Sequence, residues 1–94
     1  MEEIQSSETI ITGKWIFDGK TMQADHACKR IDWLISNKLK EIAVNGEQWE
    51  SLFKDPTDNR YWLLTYPESH MHGGGPPSLK AITQTEAQSK FNVQ

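Results

Sequence analysis

The apolar positions of this chain change period along its length, and each change marks an element. Residues 9–17, Thr9-Ile10-Ile11-Thr12-Gly13-Lys14-Trp15-Ile16-Phe17, are rich in β-branched and aromatic types and run into Asp18-Gly19. The composition predicts a strand, and the dipeptide predicts a tight hairpin turn, because both central positions of the favoured turn need positive φ. Residues 20–24 return as a second strand with Trp15 opposite Met22, and Gly13 weakens the first strand near its start.

From Ala24 the period becomes helical. Ala24, Ala27, Cys28, Ile31, Leu34 and Ile35 fall at three-and-four spacing, and Asp25 is placed to cap the helix of residues 26–37. Trp33 lies off that stripe, either flat on a neighbouring element or exposed as an anchor for a partner. Residues 38–44 and 47–54 flank Asn45-Gly46, a second hairpin signal. A strict two-residue turn sets Ile42 opposite Trp49 and Glu41 opposite Glu50, so either a bulge shifts the register or the two acids form a negative spot. Asp55-Pro56-Thr57-Asp58-Asn59-Arg60 is turn chemistry, with an Asp55–Arg60 pair expected across the loop. Residues 61–66 then make the third strand of a meander, pairing Phe53 with Trp62 and Trp49 with Tyr66 on the core face.

Residues 66–78, Tyr66-Pro67-Glu68-Ser69-His70-Met71-His72-Gly73-Gly74-Gly75-Pro76-Pro77-Ser78, interrupt all periodicity. Consecutive glycines admit positive φ, and the prolines fix φ and remove two amide donors, so this is a loop of specified shape. Residues 79–82 form a short last strand. Thr83-Gln84-Thr85-Glu86 matches a capping box, with Ile82 and Ala87 as its hydrophobic staple and Phe91 one turn beyond Ala87. The resulting expectation is an α+β domain. A mainly antiparallel sheet, built from a hairpin, a three-stranded meander and a short last strand, is packed by one central helical layer, with a short C-terminal helix.

Length adds one constraint: 94 residues make a single domain, 1–94, and the acidic start, residues 1–8, is expected to fray. The formal charge of −3 and the lack of any lysine–arginine cluster argue against direct nucleic-acid binding and suit a basic protein partner. The single cysteine, Cys28, rules out an internal disulfide. Residues 1–20 hold no basic segment followed by an apolar run, and no stretch reaches the roughly 18 apolar residues of a membrane span. The expectation is a cytoplasmic protein that meets no membrane.

Candidate chemistry is sparse. The glycine run lacks the Gly-Lys-Ser/Thr of a phosphate loop, and Pro76 and Pro77 remove amides that a phosphate cradle would use. His70 and His72 alternate and invite a metal site, but His26 and Cys28 are turned apart on the helix and cannot join them as a local chelate. A small metal-dependent enzyme using the loop histidines is therefore the alternative reading. No Ser, Cys or His sits in a recognisable nucleophilic setting, so neither catalytic residue nor cofactor is assigned.

Asp55-Pro56-Thr57-Asp58-Asn59-Arg60-Tyr61-Trp62, Thr65-Tyr66-Pro67-Glu68-Ser69 and His72-Gly73-Gly74-Gly75-Pro76-Pro77-Ser78-Leu79 resemble the immunity protein 27 family of bacterial polymorphic toxin systems. Gly13-Lys14-Trp15, the helix with Cys28, Arg30 and Ile31, and Glu86-Ala87 with Lys90-Phe91 are similar to it as well. The resemblance implies a non-catalytic inhibitor that binds a cognate toxin domain, often a basic nuclease, in a one-to-one complex, as in contact-dependent inhibition. Asn59 stands where the family's turn has glycine, and asparagine tolerates positive φ. A motif shared by immunity proteins that match different toxins points to scaffold. Asp55, Pro56, Asp58, Arg60, His72, Gly73, Gly74, Gly75, Pro76 and Pro77 are accordingly read as a structural motif, and Trp33, Glu41, Glu47 and Glu50 as candidate partner-binding residues.

Overall fold

The computed structural model describes residues 2–17, 19–46, 49–67 and 75–92. The helical stripe after Asp25 forms α1 (His26–Asn37), and Asp25 caps it by accepting from Cys28 N at 2.9 Å. Before α1 the chain makes β1 (Ile10–Thr12), β2 (Trp15–Phe17) and β3 (Met22–Ala24). After it come β4 (Lys40–Asn45), β5 (Glu50–Lys54), β6 (Tyr61–Thr65), β7 (Ser78–Ile82) and α2 (Gln84–Phe91). Strands β1, β7, β6, β5 and β4 lie in that order in a five-stranded antiparallel sheet, and β2 and β3 form a separate two-stranded ribbon. The α+β class and the mainly antiparallel sheet agree with the sequence reading.

Strand alternation sends side chains to both faces of the sheet, and each face is covered. Phe53, Trp62, Leu64, Leu79 and Ile11 meet Ile31 and Leu34 of α1 on one face. Leu52, Tyr61, Leu63 and Ile82 meet Ala87 of α2 on the other, with Phe91 packed against them. This is why β6 is buried at four consecutive positions, Tyr61 to Leu64. Trp62, Ile31, Leu34, Leu52 and Leu79 are wholly buried, and removing an aliphatic side chain of this size from water is worth roughly 1.5–3 kcal/mol. A single helical layer was expected. The short C-terminal helix instead supplies a second, started by the predicted capping box between Thr83 and Glu86.

Several registers differ from the expectation. The predicted strand 9–17 breaks at Gly13-Lys14, so that β1 leaves its neighbour and joins β7 at the sheet edge. Gly13 N donates to Pro77 O at 2.8 Å, and a Cβ at Gly13 would collide with Cys28 Sγ and stand 3.0 Å from Pro77 O. Close approach to helix and loop thus requires glycine there. In the ribbon Phe17 faces Met22 and Trp15 faces Ala24, so the loop has two more residues than a tight turn, with Gly19 at φ 96°. Asn45 faces Glu50 across the second hairpin, and a register shift between Glu41 and Ala43 puts Glu41 opposite Phe53. The wider hairpin loop already separates Glu41 from Glu50, and the register shift only moves Glu41 from opposite Lys54 to opposite Phe53. Phe53 does face Trp62, as expected, but Trp49 leaves the ladder and the core altogether.

The turn before β6 forms as predicted in its backbone. Asp55 N donates to Arg60 O at 2.9 Å, Thr57 N donates to Asp55 Oδ1 at 2.8 Å, and Asn59 takes φ 64°. The expected Asp55–Arg60 ion pair is replaced: Arg60 Nε binds Asp58 Oδ2 at 2.6 Å, because Asp55 is buried and its carboxylate serves the turn amide. Of the glycine–proline loop, Glu68, Ser69, His70, Met71, His72, Gly73 and Gly74 lie outside the described residues. Gly75 is buried, and Pro76 and Pro77 are half-buried as they run into β7.

Candidate partner-binding surface

Of the residues singled out for partner binding, the three that are described do not converge. Trp33 is half-buried against the α1 core, with Lys38 Nζ 5.6 Å from its ring centroid. Glu41 is exposed near one end of the β4–β5 ladder, and Glu50 is at the other end, its carboxylate 3.7 Å from Lys90 Nζ on α2. Glu47 lies outside the described residues.

The acidic start of the chain, where fraying was expected, is held by two arginines. Arg30, on α1 and buried, donates through Nη1 and Nη2 to both carboxylate oxygens of Glu8 at 2.8 and 2.7 Å. Its remaining donors reach Glu2 O at 3.0 Å and Glu3 O at 2.8 Å. Arg60 lies 4.9 Å from the Trp62 ring centroid and donates to Glu8 O at 2.6 Å and Gln5 O at 3.1 Å. Ile4 packs on the α1 face of the core. The hydrogen bonds from Arg30 pull the Glu8 carboxyl down to about 2, against the desolvation that would raise it. Lys38 likewise holds Glu3 below the ordinary carboxylate range through a hydrogen bond and its charge. Glu8 and Glu3 are thus each paired within the chain.

The Cys28 thiol is buried and pushed upward, first by desolvation and then by Asp25, so it is a poor nucleophile. Among the described residues no group of three or more His, Cys, Asp or Glu is placed to hold a metal, and His70 and His72 lie outside them. A cavity of about 480 Å³ opens beside the family turn, lined by Lys54, Asn59, Arg60, Tyr61, Ile82 and neighbours. Its two cations are already engaged: Lys54 sits 5.5 Å from the Tyr61 ring and Arg60 binds Asp58.

The feature that sequence reasoning missed is apolar. Val44, Trp49 and Tyr66 are 60%, 61% and 36% exposed, and with Ser51 and Leu64 they surround a cavity of about 250 Å³ at the β4–β5 hairpin end. Trp49 takes φ 56°, a left-handed conformation that costs a bulky residue roughly 1–2 kcal/mol. Its exposure means that burial does not offset the strain. Ile16 and Phe17 on the β2–β3 ribbon are also exposed, at 51% and 65%. A tryptophan beside Asn-Gly was the available signal, but the tight-turn reading placed it in the ladder.

A comparison with protein-family models matches residues 17–83 of the 94-residue chain to the one described as Immunity protein 27. The chain belongs to the immunity protein 27 family. No curated protein and no solved structure matches it. The immunity protein 27 match spans α1 and β3 to β7, including the Asp55–Arg60 turn and the glycine loop. Residues 2–8, β1 and α2 fall outside it, so the arginine lock joins Arg30 within the matched span to Glu8 beyond it. No helix among the described residues is long and apolar enough to cross a membrane.

Proposed function

We propose that this immunity protein 27 member neutralises a cognate bacterial toxin domain by binding it one to one, with no catalysis of its own. The family match over residues 17–83 carries the reading. The exposed aromatic and aliphatic surface supports it, because exposed tryptophan and tyrosine are the side chains that anchor protein interfaces. The finer form of the proposal is a basic nuclease toxin of a polymorphic or contact-dependent system, met in the cytoplasm, for which the net charge of −3 is the support. The test is co-purification with the toxin domain encoded immediately upstream, followed by a toxin-activity assay at rising ratios of this protein. Titration to full inhibition at one equivalent is the expected result. Undiminished toxin activity in excess protein overturns it.

A further inference from the structure

The pair Asn45-Gly46 predicts a tight turn because glycine supplies positive φ. The structure makes no such use of it: among the described glycines only Gly19 has positive φ, and a Cβ built at Gly46 meets no atom within 4 Å. Neither backbone conformation nor packing therefore asks for glycine at this position. A glycine that follows asparagine has a chemical effect instead, because with no Cβ beside it the amide nitrogen reaches the asparagine Cγ unhindered.

The four asparagines of the chain differ in whether that approach is open. Asn37 is held through Nδ2, which donates to Trp33 O at 2.9 Å, and the next amide, Lys38 N, donates to Leu34 O at 2.8 Å. Asn59 is followed by Arg60, whose amide donates to Asp58 Oδ1 at 3.1 Å. Asn92 is followed by the branched Val93. Asn45 is different. It ends β4 half-buried, Gly46 beyond it is exposed, and among the described residues neither the Asn45 side-chain amide nor the Gly46 amide has a hydrogen-bond partner.

We propose that Asn45 is a site of spontaneous deamidation. Gly46 N gives up its proton to water or hydroxide and attacks Asn45 Cγ. The Cγ–Nδ2 bond breaks, Nδ2 takes up a proton and leaves as ammonia, and the new bond from Gly46 N to Cγ closes a cyclic imide. Water then opens the ring. Cleavage at Cγ gives ordinary aspartate, and cleavage at the main-chain carbonyl gives isoaspartate, with the backbone running through the former side chain. Either product puts a carboxylate where Asn45 faces Glu50 across the ladder, in the lining of the cavity beside Trp49. Like charges placed opposite each other weaken the end of the hairpin, and isoaspartate adds an atom to the backbone where the pairing of β4 with β5 ends.

The experiment incubates the full chain for weeks at neutral and at mildly alkaline pH, beside Gly46→Ala, and follows both by peptide mapping with mass spectrometry and by thermal unfolding. The expected result is a mass gain of about 1 Da, water gained for ammonia lost, that appears first at Asn45 as aspartate and isoaspartate. It is faster at the higher pH, because the attacking amide must first lose its proton. Gly46→Ala keeps the wild-type unfolding transition, since its methyl meets no atom, and slows the gain about tenfold or more. An Asn45 that stays intact in the folded chain overturns the proposal, including the case in which it is lost only from chain unfolded in urea. So does a gain that appears first at Asn37, Asn59 or Asn92, or one whose rate Gly46→Ala leaves unchanged.

Discussion

Replacing Glu8 by glutamine tests the arginine lock most directly. In the folded protein Arg30, with 9% of its side chain exposed, forms a two-pronged pair with Glu8, whose side chain is 27% exposed. The carboxyl stands at about 2, against an ordinary value of 4.5. At about 1.4 kcal/mol per tenfold change in proton affinity, that difference corresponds to a ceiling of about 3 kcal/mol. Solvent contact at Glu8 screens part of it, so Glu8→Gln is expected to cost about 2 kcal/mol at pH 7. For a domain of this size that lowers the unfolding temperature by roughly 10 °C. The sign follows from the depressed carboxyl. Its contribution is fully present above pH 4.5 and is lost as pH falls through about 2. Urea unfolding followed by tryptophan fluorescence, at pH 7 and at steps down to pH 2, should therefore show wild-type and variant converging in acid. A difference below about 0.5 kcal/mol at pH 7, or one that stays constant down to pH 2, refutes the reasoning.

Gly13→Ala should destabilise the protein by about 1–3 kcal/mol, because the new methyl meets Cys28 Sγ and the Pro77 carbonyl; Cys28→Ala in the same chain should recover part of the loss in a thermal melt. Asn59→Val should cost about 1–2 kcal/mol through strain at φ 64°, while Asn59→Gly should stay within about 0.5 kcal/mol of wild type by chemical denaturation. Cys28 should resist an aromatic disulfide reagent in the folded protein and react promptly in urea, since its thiol is buried and shifted upward; rapid labelling of native protein would contradict the buried placement.

The features legible in the sequence were those decided within a few residues. Asp25 reaches Cys28 N, Thr83 and Glu86 close their box, and Asn59 fills a positive-φ position, each governed by local hydrogen bonding. The Phe53–Trp62 pairing was also recoverable, because the turn chemistry of residues 55–60 fixes its own length. The hairpin registers were not, since Asp-Gly and Asn-Gly mark where a chain turns while burial on two faces decides which residues pair. The break at Gly13 depends on Cys28 and Pro77, and the lock on Glu8 depends on Arg30, partners that no local pattern announces. The same error of register hid the exposed surface: pairing Trp49 with Tyr66 in a core concealed that both line a cavity on the outside.

The place of β1 has a consequence for timing. A sheet ordered β1-β7-β6-β5-β4 joins Ile11 to Leu79, so the first strand to be synthesised waits through nearly seventy intervening residues for its neighbour. Contacts of such long separation slow folding, because the chain must give up the freedom of the whole intervening loop before they form. At about 5–20 residues per second, the ribosome needs several seconds to carry synthesis from Ile11 to Leu79. The β1–β7 edge therefore cannot close before β7 has been made, unlike the β4–β5–β6 meander, whose partners are neighbours in sequence.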